Sequence, residues 1–349
     1  MKKRILATFL TVVMVVGLAA GCGSKSTDNK TESDDTSAAK ESKPVTLMVS
    51  HSNKETGGTA IASEEFKKLV EDAEKDITVD IYGNNALGDE ATVFESVMAG
   101  TVAIQMVSTS TLSKSVSEAA VMDVPFLFDD MEQFWKVVKT DEFTEAFEKY
   151  FEGSGVHFLG FINCNNRAVS NTKKAIHSPE DMKGLNIRIL EGQVYQDLFA
   201  TLGAGTTTLA ISEVFTSLQN GLIDGEDMGI SYIVPSGFAE AENYFTDTNH
   251  TVQPVVAIIN QEIWDGMSEE QQKVVSDAID EAGTNAGSRF EDDYKEYLQT
   301  AKDQYGIEVT LLTDDEREVF KEAAADVIDK YANATPECKK LYDLINSLK

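Results

Sequence analysis

Arginine is scarce in this chain. Of its five arginines, Arg167 and Arg188 lie in otherwise uncharged, strand-like sequence, while the whole chain carries 59 acidic against 30 basic residues and a formal net charge of −29. In Asn186-Ile187-Arg188-Ile189-Leu190 the period-2 alternation sets Ile187 and Ile189 on one strand face and Arg188 on the other. A guanidinium keeps its proton, and its planar fork meets a carboxylate with two parallel hydrogen bonds. Such a residue is either half of a structural ion pair or the anchor for an anionic ligand.

Other chemistry is hard to find. The four histidines, His51, His157, His177 and His250, are not paired at metal-ligand spacing. The chain has neither a Gly-x-Ser-x-Gly elbow nor a phosphate-binding Walker loop, and Gly203-Ala204-Gly205 reads as a turn. His51 follows a strand, where it either lines a cleft or is a satisfied structural histidine. With 59 carboxylates, pairs arise by chance and most belong to solvated helix faces. No cofactor is implied. An exported hydrolase would need a nucleophile beside a base, so the expectation is binding without catalysis.

Composition fixes the compartment. Met1-Lys2-Lys3-Arg4 precedes an apolar run from Ile5 to Ala20, a signal-peptide pattern too short for a membrane span. Leu18-Ala19-Ala20-Gly21-Cys22 resembles a lipobox, so residues 1–21 are expected to be cleaved and Cys22 lipidated. Residues 22–43 hold almost no large apolar side chains and are expected to form a flexible tether. The mature protein is thus expected outside the cytoplasm, held at the outer face of the cell membrane by lipid alone. Its acidity repels nucleic acid and makes that an unsuitable partner. Cys164 and Cys338 are expected to be free thiols.

Strands and helices alternate from Pro44 onward. Strands are expected at 45–50, 77–82, 102–107, 156–162, 186–190 and 251–259. Helices are expected at 58–75, with Ile61, Phe66, Leu69 and Val70 inward, and at 90–99, 193–202 and 212–220. In the first of these units, strand–helix–strand order implies parallel pairing with helical crossovers. From Ser268 to about Gln304 the pattern is helical without proline, interrupted only by Gly283 and Gly287. At 1.5 Å per residue that helix would be roughly 55 Å long, more than a single domain's width. The glycines are either a bend or packing positions. Two more helices, split by Pro336, are expected between Thr310 and Ser347. The fold class is α/β: two lobes of mixed sheets flanked by helices, sharing one long helix, with the ligand beyond the carboxyl ends of the strands. Ser108, Thr109 and Ser110 follow a strand and fit the wall of that cleft. Lobe I is assigned 44–165 plus about 250–285, and lobe II 166–249 plus about 286–349.

Five segments then resemble, in order, the substrate-binding subunits of tripartite ATP-independent periplasmic (TRAP) transporters, the DctP-type family. They are Tyr82–Glu90, Asp123–Phe128, Arg167 with Asn171, Ile176–Arg188 and Leu218–Gly225. The strongest is Ile176-His177-Ser178-Pro179-Glu180-Asp181-Met182-Lys183-Gly184-Leu185-Asn186-Ile187-Arg188. The resemblance implies a periplasmic-binding-protein-like fold with a long bent helix, closing on a small organic acid and delivering it to membrane permease subunits. A receptor of the same fold that presents a solute to a sensor kinase is the alternative, and a monomer is expected. Arg188 matches the family's carboxylate-binding arginine and Arg167 a second arginine facing the same ligand. Asp89 lies in the first matching loop. After Asp224-Gly225 the family usually has Gln-Glu-Asn-Pro, where this chain has Glu226-Asp227-Met228-Gly229. Either Asp227 makes a structural ion pair and Met228 packs, or both face a ligand that is less polar or bears an amine. Asn163, Asn165 and Asn166 could replace the missing amide. Expected ligand-binding residues are therefore Arg188, Arg167, Met228, Asp227, Ser108, Asn166, Asp89 and His51.

Overall fold

Short runs rich in β-branched and other apolar residues generate the first strands, and the computed structural model, which describes residues 43–349, pairs them as the strand–helix–strand order requires. Strands β1 (Val45–Ser50), β2 (Ile77–Tyr82) and β3 (Ile104–Ser108) are parallel, with β1 in the middle. At the other end of the sheet β5 (Asn186–Ile189) lies parallel between β6 (Gly205–Thr208) and β7 (Gly225–Asp227). Two long strands join these halves: β4 (Val156–Asn171) and β8 (Tyr244–Asn260). The resulting path is β2-β1-β3-β8-β4-β7-β5-β6, with β9 (Glu308–Leu311) parallel to β8.

β4 and β8 run antiparallel to each other and each serves both halves. Residues 255–259 of β8 pair with β3, whereas residues 244–247 pair with β9. Residues 169–171 of β4 pair with β7. The β4–β8 ladder slips register three times, the last between Arg167 and Val169. Such irregularities bend a strand and re-aim its side chains. Both strands are longer than the apolar pattern implied (156–162 and 251–259). The reason is that Asn163, Asn166, Arg167 and Gln253 are buried here, so polar sequence continues a strand instead of ending it.

The helix Glu269–Tyr305 spans 37 residues, opened by a Ser268–Gln271 capping box and closed by left-handed Gly306. Its Val275, Ile279 and Ala282 belong to the core around β1–β3, while Leu298 and Ala301 belong to the core around Ile230, Ile233 and Phe245. One element thus packs against both halves. Its glycines are packing positions: a Cβ on Gly283 would stand 2.2 Å from the Phe161 carbonyl oxygen, and one on Gly287 would stand 2.6 Å from the Trp135 indole nitrogen.

Two expectations fail. Ile61 is 41% exposed, and Ala62 takes its place on the inward face of the first helix, Gly58–Asp72, where Phe66 and Val70 are buried as expected and Leu69 packs partly buried against the same core. After β9 come three helices, not two: Asp314–Ala323, Ala325–Ala332 and Pro336–Leu348. The extra break falls at Ala324, which carries no proline or glycine signal. Cys164 and Cys338 are buried, free thiols. The segments expected to be leader and tether, Cys22 included, lie outside the described residues except for Lys43. Among the described residues no helix is long and apolar enough to cross a membrane.

Candidate functional site

β5 carries Arg188 into the middle of the sheet end, and the side chain is 1% exposed. Its Nε and one terminal nitrogen both donate to the Leu209 carbonyl, at 3.1 and 2.8 Å. The other terminal nitrogen has no hydrogen-bond partner among the described residues. No carboxylate lies within ion-pair distance of this guanidinium among them either. Burial lowers its pKa, and the charge of nearby Glu226 works the other way. Arg188 is therefore an oriented, desolvated cation whose charge is not neutralised by a contacting anion. It lines two adjoining clefts, which also share Ser52, Glu90, Leu190 and Ile211.

Arg167, on β4, is equally buried and differently occupied. Its Nε donates to Asp227 Oδ1 at 2.8 Å, one terminal nitrogen to Gln253 Oε1 at 2.7 Å, and the other to the Asp227 carbonyl. The guanidinium also lies 4.9 Å from the Tyr195 ring centre. His250 Nε2 stands 3.2 Å from the same Asp227 oxygen. Burial alone would raise the Asp227 carboxyl, but Arg167 and His250 outweigh it and hold its pKa at about 2. Arg167 borders the cleft with an acceptor already on each of its three nitrogens; Asp227 is its buried partner.

The remaining predicted residues divide. Met228 and Ser108 line the same cleft as both arginines. Asp89 lies beside Arg188 in the adjoining cleft, where it caps the helix Glu90–Met98 by accepting from Thr92 N at 2.8 Å. Asn166 is buried behind them, its amide 3.4 Å from Asp247, and of Asn163, Asn165 and Asn166 it is Asn165 that lines the cleft. His51 is packed beneath Gly83, where a Cβ would stand 2.5 Å from its ring. Desolvation lowers its pKa to about 4, so it is a neutral imidazole in the interior.

Residues 49–334 match the family described as bacterial extracellular solute-binding protein, family 7, known as DctP. The chain belongs to that family. A solute-binding protein of Verminephrobacter eiseniae is 31% identical over 72% of this chain and 75% of its own length. The ectoine-binding periplasmic protein of Halomonas elongata is 28% identical over 79% of this chain and 82% of that one. Among solved structures, a TRAP periplasmic solute-binding protein from Polaromonas sp. JS666 bound to D-erythronate superposes with a TM-score of 0.81. It is 28% identical and covers 87% of this chain and 99% of that chain. The two-lobed DctP architecture is thus the fold of this protein, and the family is one of extracytoplasmic receptors that hand solutes to TRAP permeases rather than of enzymes.

Several groups on the DctP-type cleft had no signal of their own. Glu90 is the chief one. Its carboxylate accepts from Ser108 Oγ at 2.6 Å, Thr111 Oγ1 at 2.8 Å and Ser52 Oγ at 3.3 Å. It begins a helix, where acidic residues are common for dipole reasons, and so stood unmarked in the sequence. Tyr232, Gln253 and Ile211 complete the walls.

Proposed function

We propose that this receptor binds a small hydroxylated carboxylate, with Arg188 clamping the acid group and Glu90 accepting from the ligand's hydroxyls. The observation that carries the reading is the buried Arg188 guanidinium on the cleft, held by an uncharged carbonyl and left with one unpartnered nitrogen. A carboxylate supplies the missing charge and acceptor together. Arg167 serves differently: bound to Asp227 and Gln253, it holds the cleft floor in shape and presents its charge from behind. Met228 and Leu190 offer apolar contact to the ligand's carbon chain, Ser108 and Asp89 its polar rim. The relative that binds D-erythronate supports this class of acid. The relative that binds ectoine favours a second reading, in which a cationic nitrogen meets Glu90; the three hydroxyls already on that carboxylate speak for hydroxyl donors.

Lobe I would comprise residues 44–165 and about 250–285, and lobe II residues 166–249 and about 286–349, hinged where β4 and β8 cross near Arg167. Cys22 would carry the lipid that holds a monomeric receptor beside its permease. Truncating one partner of a buried charge pair costs about 2–5 kcal/mol, so Arg188→Ala should weaken binding at least about 30-fold. A thermal-shift screen of hydroxy acids, dicarboxylates, sugar acids and amino acids identifies the ligand, and calorimetry measures the loss. Equal affinity in wild type and Arg188→Ala refutes the clamp.

A further inference from the structure

One buried carboxyl beside the clamp has no role in the reading above. Glu226 lies on β7 directly opposite Arg188 on β5, in parallel register. Residues paired in this way project from the same sheet face, about 5 Å apart at their Cβ atoms. Glu226 is wholly buried, and neither of its carboxyl oxygens has a hydrogen-bond partner among the described residues.

The groups that face it come from every side of the sheet end. Arg188 stands on β5, Arg167 on β4, and Asp227 is its neighbour on β7; Tyr232 lies on the helix Ile230–Ser236. Glu242 approaches from the segment before β8, with its carboxyl on Ser170 Oγ. Arg167 and Asp227 neutralise each other by direct contact. That leaves Arg188 with two candidate counter-charges: Glu226 when ionised, or a ligand carboxylate when Glu226 is neutral.

We propose that Glu226 is a proton-binding site coupled to the ligand, so that the receptor takes up an organic acid together with one proton held on the Glu226 carboxyl. Without ligand and above the Glu226 midpoint, the ionised carboxylate offsets the charge of Arg188 from within the sheet. When a carboxylate enters, the guanidinium turns its charge to the newcomer, and a second anion on Glu226 becomes unfavourable. The proton comes from solvent, binds one carboxyl oxygen and leaves again with the ligand. Desolvation first, and Asp227 with it, push the Glu226 pKa up to about 8 against the pull of Arg188 and Arg167, which puts the exchange in mildly alkaline solution, above that midpoint. The inference rests on Arg188 as the carboxylate clamp.

Calorimetry with D-erythronate, succinate and D-glucuronate in phosphate and in Tris, from pH 6 to 10, counts protons taken up per ligand. Uptake should approach one above the midpoint of ligand-free Glu226. Affinity should fall about tenfold per pH unit until the ligand-bound midpoint is passed. Glu226→Gln should flatten that profile. In parallel, the carboxyl carbon resonance of Glu226, assigned by its loss in Glu226→Gln, should titrate well above the ordinary range in the ligand-free receptor, and higher still in Arg188→Ala. Tight binding without proton uptake, or a slope that survives in Glu226→Gln, overturns the proton site and leaves the clamp standing. An ordinary carboxylate midpoint, or one indifferent to Arg188→Ala, overturns it with no ligand needed. If none of the three acids binds, the ligand class is wrong and the carboxyl titration alone decides the proton site.

Discussion

Arg167 and Arg188 are both nearly absent from solvent, yet their surroundings give them opposite consequences. Arg167 neutralises Asp227, and removing either strands the other. Arg167→Met should therefore lose roughly 3–5 kcal/mol of stability in chemical denaturation, the range for a broken buried pair. Arg188→Ala should lose less, because no contacting carboxylate is left bare. Equal losses in the two variants would show that Arg188 is a structural cation after all. The buried carboxyls also set the pH dependence of stability. Asp123, in contact with Tyr195 at 2.6 Å, is raised by desolvation from 3.8 to about 7, and Glu226 from 4.5 to about 8. Across those windows the unfolded chain is ionised while the folded one keeps its protons, so stability falls as pH rises. Asp227 runs the other way: held at about 2 instead of 3.8, it stabilises the fold above 3.8 and loses that contribution towards pH 2. The melting temperature should peak in mildly acidic buffer and decline towards pH 8. General repulsion in so acidic a chain acts in the same direction, so the decisive measurement is calorimetry on Asp123→Asn and Glu226→Gln. Both should flatten the decline.

Element by element, the sequence was readable where apolar residues recur at a regular period or in a short unbroken run. β2 and β5 show plain alternation, β1 reads as a short buried run, and the long helix shows an unbroken pattern from its capping serine. β4 and β8 were half hidden, because reading outward-facing polarity as a strand's edge fails where amides and an arginine are buried against one another. β7, three residues long and acidic, carries no signal at all, although it holds both Glu226 and Asp227. Arg188 was legible as a lone charge in an apolar strand. Glu90 was one carboxylate among 59 and became visible only when Ser52, Ser108 and Thr111 were brought to it. The helix glycines give a test at this scale. In an unobstructed helix Gly→Ala gains about 0.5–1 kcal/mol. At Gly283 the new methyl meets a backbone carbonyl of β4 and the helix must move, so Gly283→Ala should lose about 1–3 kcal/mol, the cost of overpacking. At Gly287 the obstacle is the Trp135 side chain, and the loss should be smaller. Urea midpoints of the two variants decide; a gain at Gly283 would mean that the contact is loose.

At the scale of the whole molecule, two strands and a helix are common property. β4 and β8 each lend one end to either half of the sheet, and Glu269–Tyr305 packs its early turns on one core and its later turns on another. Neither half can melt without losing strands that the other half needs. Cooperative units follow such shared contacts, so a chain long enough for two domains should here unfold in one step. Residues of both halves line the cleft, so a ligand held there would touch both. A ligand at one hundred times its Kd adds about 2.7 kcal/mol, which for a chain of this size raises the melting temperature by roughly 5 °C. Scanning calorimetry with and without a bound hydroxy acid should show one peak that moves as a whole, with far- and near-ultraviolet circular dichroism changing together. Two resolved peaks, only one of them shifted by ligand, would mean that the halves fold independently and that the shared strands fray first.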